Sequence, residues 1–246
     1  MKKILITGGN GFLGQRLILK LKKNKNYKLI FFSKKKYNLF NLNKIRKLFS
    51  DNKNIYCVIH LASDHGGLYY NIKNQGTIYY KNIIMNSHLM HFSMLNEVKK
   101  FISAGTVDSY PKNIKFPLIE SDIWNGYPES TSAPYAFSKK MMLVQGDAYK
   151  KQFKFNHLQL LFMNLYGPGD DFENKSCHVI PAIINKIALA KKNKKKSIKL
   201  FGTGNQMREF LYVDDAADAI IKSINYSSVL NRINIGTGKT VTIKKL

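Results

Sequence analysis

The segment "ILITGGNGFLG", residues 4–14, constrains this chain more than any other. Ile4-Leu5-Ile6 is a short apolar run that suits a buried strand. Glycines follow at once, and then Phe12 to Leu19, with apolar residues at helical spacing. Strand, glycine turn and helix in that order form the setting in which a glycine fingerprint means a dinucleotide phosphate site. Gly8 and Gly9 predict a tight turn with positive φ. Gly11 lacks the Cβ that would hold a pyrophosphate away, and Gly14 lets the helix lie close on the strand. The helix N-terminus then turns free N–H groups and partial positive charge toward the phosphates. The run reads equally as GxGxxG (Gly9, Gly11, Gly14) or as GxxGxxG (Gly8, Gly11, Gly14). A tight strand-to-helix turn without a ligand is the competing reading.

Strand-like and helix-like segments alternate after this start. Strands are predicted over 27–32, 56–60, 157–162 and 197–201, with another ending at 101–103. Helices are predicted over 43–49, 77–95, 133–150 and 179–191. The 77–95 helix is expected to turn Ile78, Ile83, Ile84, Leu89, Phe92 and Leu95 inward. Alternation with continuous apolar strands predicts an α/β fold, a Rossmann-type doubly wound parallel sheet with helices on both faces. The regularity loosens from Tyr166 onward. The expected organisation is a dinucleotide-binding domain over 1–165 and a smaller C-terminal substrate-binding portion over 166–246.

The net charge of +25 invites a nucleic-acid reading. The lysines, however, are spread along the whole chain rather than gathered in a patch, so no nucleic-acid partner is expected. The run Lys191-Lys192-Asn193-Lys194-Lys195-Lys196 reads as a solvated turn, and the positive field suits an anionic small molecule. No apolar run approaches the length of a membrane helix, so no membrane partner is expected. Two cysteines, Cys57 and Cys177, make no disulfide framework, which implies a reducing cytoplasm. Cys57 reads as a small core residue. Cys177 beside His178 lacks a second ligand pair, so no metal site is expected.

In "APYAFSKKM", Tyr135 and Lys139 are four apart on a predicted helix and share a face. A phenol ordinarily titrates near pH 10. A neighbouring ammonium and an oxidised nicotinamide ring would lower that value and make Tyr135 a proton donor and acceptor at a carbonyl or alcohol. Lys139 can also hold the nicotinamide ribose. The second predicted strand ends Phe32-Ser33-Lys34-Lys35-Lys36, with no carboxylate to bind the 2′-hydroxyl of NAD. Ser33 and Lys34 therefore favour NADP, with NAD as the alternative.

The motifs "TGGNGFLG" (7–14), "HLAS" (60–63), "YAFSK" (135–139), "NLYGPGD" (164–170) and "REFLYVDDAADAI" (208–220) span the chain. It resembles the extended short-chain dehydrogenase/reductases of the NAD-dependent epimerase/dehydratase family, which act on nucleotide sugars. The "HGG" of 65–67, the "YPK" of 110–112 and above all "HVIPAIINK" (178–186) are similar to the branch of NADPH-dependent epimerase-reductases that act on GDP-4-keto-6-deoxymannose. The resemblance implies a homodimeric enzyme that reduces C4 of a 4-keto sugar, GDP-linked, with or without 3,5-epimerisation. A 4-epimerase or dehydrogenase of the same family is one alternative. A catalytically inactive NADP-binding sensor or scaffold is another, against which the intact Thr106, Tyr135 and Lys139 set argues.

Residue by residue, the resemblance places Gly8, Gly11, Phe12, Leu13, Gly14, Leu61, Ala62 and Ser63 against the cofactor. Thr106 stands where the family hydrogen-bonds the sugar oxygen, Tyr135 is the acid at C4 and Lys139 its partner. His178 stands at the general acid of epimerisation. Asn164 and Leu165 match a stretch that touches cofactor and substrate, while Val179, Lys186, Phe201 and Arg208 match substrate-binding positions. Asp108 stands where the branch has a catalytic cysteine. A carboxylate near its ordinary pKa is a weaker base than a thiolate, so epimerisation is disfavoured. Val107 stands where dehydratases carry an acid, which disfavours dehydration. The ending "NRINIGTGKTVTIKKL" resembles a strand and turn that relatives place well before their C-terminus, so a further segment of the substrate portion is expected beyond it.

Overall fold

The computed structural model describes residues 1–172, 177–200, 202–226 and 231–246. The first half alternates strand and helix: β1 (Lys2–Thr7), α1 (Phe12–Leu21), β2 (Tyr27–Phe31), α2 (Leu42–Asp51), β3 (Ile55–His60), α3 (Leu68–Lys73), α4 (Gln75–Leu95) and β4 (Lys100–Thr106). The second half holds α5 (Ala133–Phe153), β5 (His157–Phe162), β6 (Asn164–Tyr166), α6 (Val179–Lys192), β7 (Met207–Tyr212), α7 (Val213–Ser223), β8 (Arg232–Ile235) and β9 (Thr240–Thr242). Two short helical turns, Val107–Ser109 and Glu120–Trp124, follow β4.

Six strands form one parallel sheet in the order β2-β1-β3-β4-β5-β8. Ile4, Leu5 and Ile6 of β1 have no exposed surface, and all six residues of β5 are buried. Such strands read as unbroken apolar runs because helices cover both faces of the sheet. On one face Leu17, Ile18 and Leu21 of α1 meet Ala216, Ala217 and Ile220 of α7. Arg16 ties these helices through two parallel bonds of 2.6 Å to the Asp214 carboxylate. On the other face Ile45, Leu48 and Phe49 of α2 pack with Met85, Leu89 and Met90 of α4 and Met142 of α5.

Residues 166–246 contribute to both parts of the molecule. β8 adds to the edge of the main sheet beside β5, and α7 covers α1. β6 and β7 run parallel, and with antiparallel β9 they make a separate three-stranded sheet.

Two expectations change. Residues 197–200 form no strand, and Phe201 lies outside the described residues. The inward face of α4 is also different: Asn82, Asn86 and Ser93 are buried while Leu95 is 56% exposed. The two asparagines face inward because their amides are hydrogen-bonded there: Asn86 Oδ1 lies 2.9 Å from His60 Nε2 and its Nδ2 donates to the Ser138 carbonyl at 3.2 Å, while Asn82 holds loop backbone. Asn82 accepts from the Ser63 hydroxyl and the Asp64 N–H, both at 3.0 Å, and donates to the Asp64 carbonyl at 2.8 Å.

Strand β1 lies between β2 and β3, so the chain leaves it toward one side and later resumes on the other. The crevice outside the strand ends at such a reversal is the ligand position of open α/β sheets. The turn after β1 and the loop after β3 form its walls.

Candidate active site

The glycine turn divides its work among its residues. Gly8 has φ +70°, and a Cβ there would meet the Ala62 nitrogen at 2.6 Å. A Cβ at Gly14 would meet the Gly8 carbonyl oxygen at 2.1 Å, which confirms the close seating of α1. Gly9, expected to share the positive φ, is not in that region. It is glycine for packing, since a Cβ would lie 2.8 Å from Ile18 Cδ1 and 3.1 Å from Phe31 Cβ.

Gly11 is different again. It caps α1 with an ordinary φ of −82°, and a Cβ would meet only the Gly8 carbonyl oxygen, at 3.3 Å. The space in front of it is open. The first intrahelical bond runs from the Gln15 N–H to the Gly11 carbonyl, which leaves the Phe12, Leu13 and Gly14 N–H groups outside the ladder. No acidic side chain occupies the first turn. A cradle that a side chain would fill, at a helix N-terminus without a competing carboxylate, fits a pyrophosphate.

Two adjoining cavities meet at Gly8, Gly11, Leu61 and Ser63. One, of about 550 Å³, extends past the end of β2 between Phe32, Lys34, Asn38 and Phe40 on one side and Ala62, Asp64 and Lys81 on the other. Lys34 lines it as expected, whereas Ser33 is exposed and stands off its wall. Asp64 is held at 2.6 Å by the Lys81 ammonium and at 2.7 Å by the Tyr70 hydroxyl, which lower its pKa against the cost of burial.

The other cavity, of about 320 Å³, brings together Phe12, Leu13, Thr106, Asp108, Tyr135, Asn164, Leu165 and His178, residues scattered over the chain. Thr106 ends β4 and its Oγ1 accepts the Asp108 N–H at 3.2 Å, which leaves the hydroxyl proton for another acceptor. Tyr135 stands one turn before Lys139 on α5, and the Lys139 Nζ lies 5.5 Å from the Tyr135 ring centroid.

The electrostatics correct one expectation. The Tyr135 phenol is pushed up from its ordinary value, not down. Burial is the main cause, the Asp108 charge adds to it and a Ser63 hydrogen bond opposes it. Lys139 is not among the groups that shift it, and burial pushes the lysine's own pKa down to about 8. Tyr135 is therefore a neutral phenol with a proton to give, whereas the sequence suggested a phenolate stabilised by the lysine.

Asp108 is pushed up as well, chiefly by burial, while the Thr106 hydrogen bond and the Arg208 and His178 charges work the other way. His178 precedes α6 and faces the His65 ring, with centroids 5.8 Å apart. Val179 opens α6 and lines neither cavity. Asn164 donates to the Glu209 carbonyl at 3.0 Å and so pins β6 to β7. Lys186 bonds the Lys199 carbonyl at 3.0 Å, and Arg208 bonds the Met207 carbonyl at 2.8 Å.

Asp64, Tyr70 and Lys81 escaped the sequence reading, and His65 entered it only as the first residue of the "HGG" motif, without a role. Asp64 and His65 follow "HLAS" directly, and that adjacency was the available signal. Nothing local marks Tyr70 or Lys81, which come from the helices that cover the cleft. Among the described residues no group of His, Cys, Asp and Glu is arranged to hold a metal ion, and no helix is long and apolar enough to cross a membrane.

A parallel sheet with a glycine cradle at its reversal, beside a cavity lined by Thr106 and Tyr135, defines a Rossmann-type dinucleotide-binding protein. The chain belongs to the NAD dependent epimerase/dehydratase family, whose pattern matches residues 4–236. It is 30% identical to the GDP-L-fucose synthase of Escherichia coli strain K12 over all of this chain and 79% of that one. It is 32% identical to the GDP-L-colitose synthase of Yersinia pseudotuberculosis over 98% of this chain and 78% of that one. Its fold superposes on a GDP-mannoheptose C4 reductase from Campylobacter jejuni with NADP bound, with a TM-score of 0.88 at 26% identity. That likeness covers 99% of this chain and 82% of the other.

Proposed function

We propose that this chain is an NADP(H)-dependent reductase of a GDP-linked 4-keto sugar. The observation that carries the reading is the neutral, half-buried Tyr135 phenol that lines one cavity with Thr106, a cavity that shares Gly8 and Gly11 with the dinucleotide cradle. Similar proteins named for GDP-sugars support the substrate class, and one has NADP bound.

NADPH, when bound, supplies a hydride to the carbonyl carbon. Phe12, Leu13 and Gly14 hold its pyrophosphate by their N–H groups, and Lys34 meets the 2′-phosphate. Leu61, Ala62 and Ser63 form the facing wall. Thr106 donates a hydrogen bond from its hydroxyl to the C4 oxygen, keeping its own proton, and orients it. Tyr135 gives its proton to that oxygen as charge develops there, which a phenol kept neutral by burial is suited to do. The Lys139 ammonium steadies the phenolate left behind and holds the nicotinamide ribose. Asn164, Leu165, His178, Val179, Lys186 and Arg208 are assigned to the sugar-nucleotide side, as is Phe201, which lies outside the described residues.

The reaction on this reading is reduction at C4 without rapid epimerisation. Asp108 replaces a thiolate, and the Thr106 hydrogen bond and the charges of Arg208 and His178 oppose the rise in pKa that burial gives its carboxylate. The reading also includes a homodimer, supported by Tyr79, Tyr80 and Leu95 of α4 and Met141 and Val144 of α5, all exposed on the outer helical layer. The test is NADPH consumption with GDP-linked 4-keto hexoses and heptoses. Turnover of one of them is expected. Tight NADPH binding with no turnover of any would favour the inactive sensor or scaffold and overturn the reading.

A further inference from the structure

His65 is absent from the roles assigned above, yet it stands in the middle of the site. Its ring centroid lies 4.0 Å from that of Tyr135, with the planes 30° apart, and 5.8 Å from that of His178, with the planes 22° apart. It lines the same cavity as Thr106, Asp108 and Tyr135.

The surrounding bonds determine which ring nitrogen carries the proton. The Asn71 Oδ1 accepts the Gly66 N–H at 3.2 Å, which fixes the orientation of the amide. The Asn71 Nδ2 must then be the group at 3.0 Å from His65 Nε2, and an amide nitrogen can only donate. His65 Nε2 is therefore an acceptor without a proton. In the neutral ring the proton sits on Nδ1. No protein acceptor for that Nδ1–H exists among the described residues, and His65 is half-buried at the cavity wall.

We propose that His65, locked by Asn71 as the Nδ1–H tautomer, is a substrate-binding donor that hydrogen-bonds a hydroxyl or ring oxygen of the sugar next to the carbon Tyr135 serves. This rests on the reading of the cavity as a sugar site. The chemistry recognised is an oxygen with a free lone pair, in the cavity that His65 and Tyr135 both line. His65 is thereby a specificity residue: a sugar with a hydroxyl there gains a bond, and a deoxy sugar leaves the N–H without a partner. The ring stays neutral in working conditions, since burial and the facing charges of His178 and Lys139 lower its pKa to about 3, with Asp64 on its own loop the opposing charge.

Three measurements test this. In the unmodified protein, nitrogen NMR of labelled imidazole should show Nδ1 protonated and Nε2 bare for His65 across neutral pH. This readout needs no substrate, so it stands even if no sugar is turned over and the function reading fails. A bare Nδ1 would overturn the proposal. With an accepted 4-keto sugar, His65→Phe keeps an aromatic ring over Tyr135 and removes the donor. It should raise KM about tenfold, with kcat and NADPH affinity near those of the unmodified protein, the worth of one neutral hydrogen bond. Asn71→Asp can still accept the Gly66 N–H but now takes a proton from Nε2. The neutral ring then presents a lone pair at Nδ1, and the donor returns only when the imidazole gains a second proton. A new rise in kcat/KM with falling pH, absent from the unmodified protein, is expected. An unchanged KM in His65→Phe, or an unchanged pH profile in Asn71→Asp, would overturn the proposal.

Discussion

The Lys139 ammonium lies 5.5 Å from the centroid of the Tyr135 ring, one turn further along α5, and only 1% of Lys139 is exposed. A cation so placed is costly to bury and useful when a phenol gives up its proton. Its pKa near 8 makes the consequence measurable. In the free enzyme kcat/KM for ketone reduction should fall as pH rises through about 8, when the ammonium is lost. Stability should move the other way. An unfolded lysine titrates near 10.4, so between about 8 and 10.4 the unfolded state holds more protons and stability rises with pH. Below 8 both states are protonated, and the folded state bears the full desolvation cost. Lys139→Met should therefore melt higher than the unmodified protein at neutral pH while losing activity. Paired pH profiles of rate and melting temperature check this, and parallel trends would refute it.

Tyr135→Phe should bind NADPH normally and lose turnover by roughly 10²–10⁴-fold, the usual worth of a positioned acid. Single-turnover NADPH oxidation measures it. A variant that still turns over at near the original rate would remove Tyr135 from the mechanism.

Gly11→Val should retain the fold and lose the dinucleotide. The φ of Gly11 suits any residue, and a Cβ there faces the open cleft apart from one contact at 3.3 Å. Gly14→Val should instead lower the melting temperature sharply, because its Cβ would lie 2.1 Å from the Gly8 oxygen. Thermal melts beside NADPH fluorescence titrations separate the two. Unaltered NADPH affinity in Gly11→Val would disprove the cradle.

Cofactor choice is expected to follow charge at the end of β2. Lys34 lines the larger cavity, so Ser33→Asp with Lys34→Ser should shift preference from NADP toward NAD by introducing a carboxylate that repels a 2′-phosphate. Dissociation constants for both cofactors, before and after, decide it. A starting protein that prefers NAD would contradict the assignment.

Epimerisation needs a base on one face of the sugar ring and an acid on the other. The half-buried Asp108 and the exposed His178, which line one cavity, bracket that possibility. In heavy water without NADPH, a 4-keto sugar should take up deuterium at C3 or C5 slowly or not at all. Rapid uptake that Asp108→Asn abolishes would establish an epimerase-reductase instead.

The residues that do local work were legible one by one. Ile4 to Ile6 read as a covered strand, and Gly8, Gly11 and Gly14 as a tight turn between that strand and a closely seated helix. Tyr135 and Lys139 share a face by helical geometry alone. Each of these follows from short-range sterics and periodicity, which sequence carries directly. What the tertiary structure decided depends on groups far apart in the chain. Desolvation reversed the shift of the Tyr135 phenol, and it follows from everything packed around the ring, which no spacing rule encodes. Asn82 looks like a surface residue on α4 until the loop after β3 is seen to need its amide, and Asn86 until its bonds to His60 and the Ser138 carbonyl are seen. The proton on His65 was decided by Gly66 acting through Asn71, because an amide has one acceptor end, and only the folded backbone shows which way that end is turned.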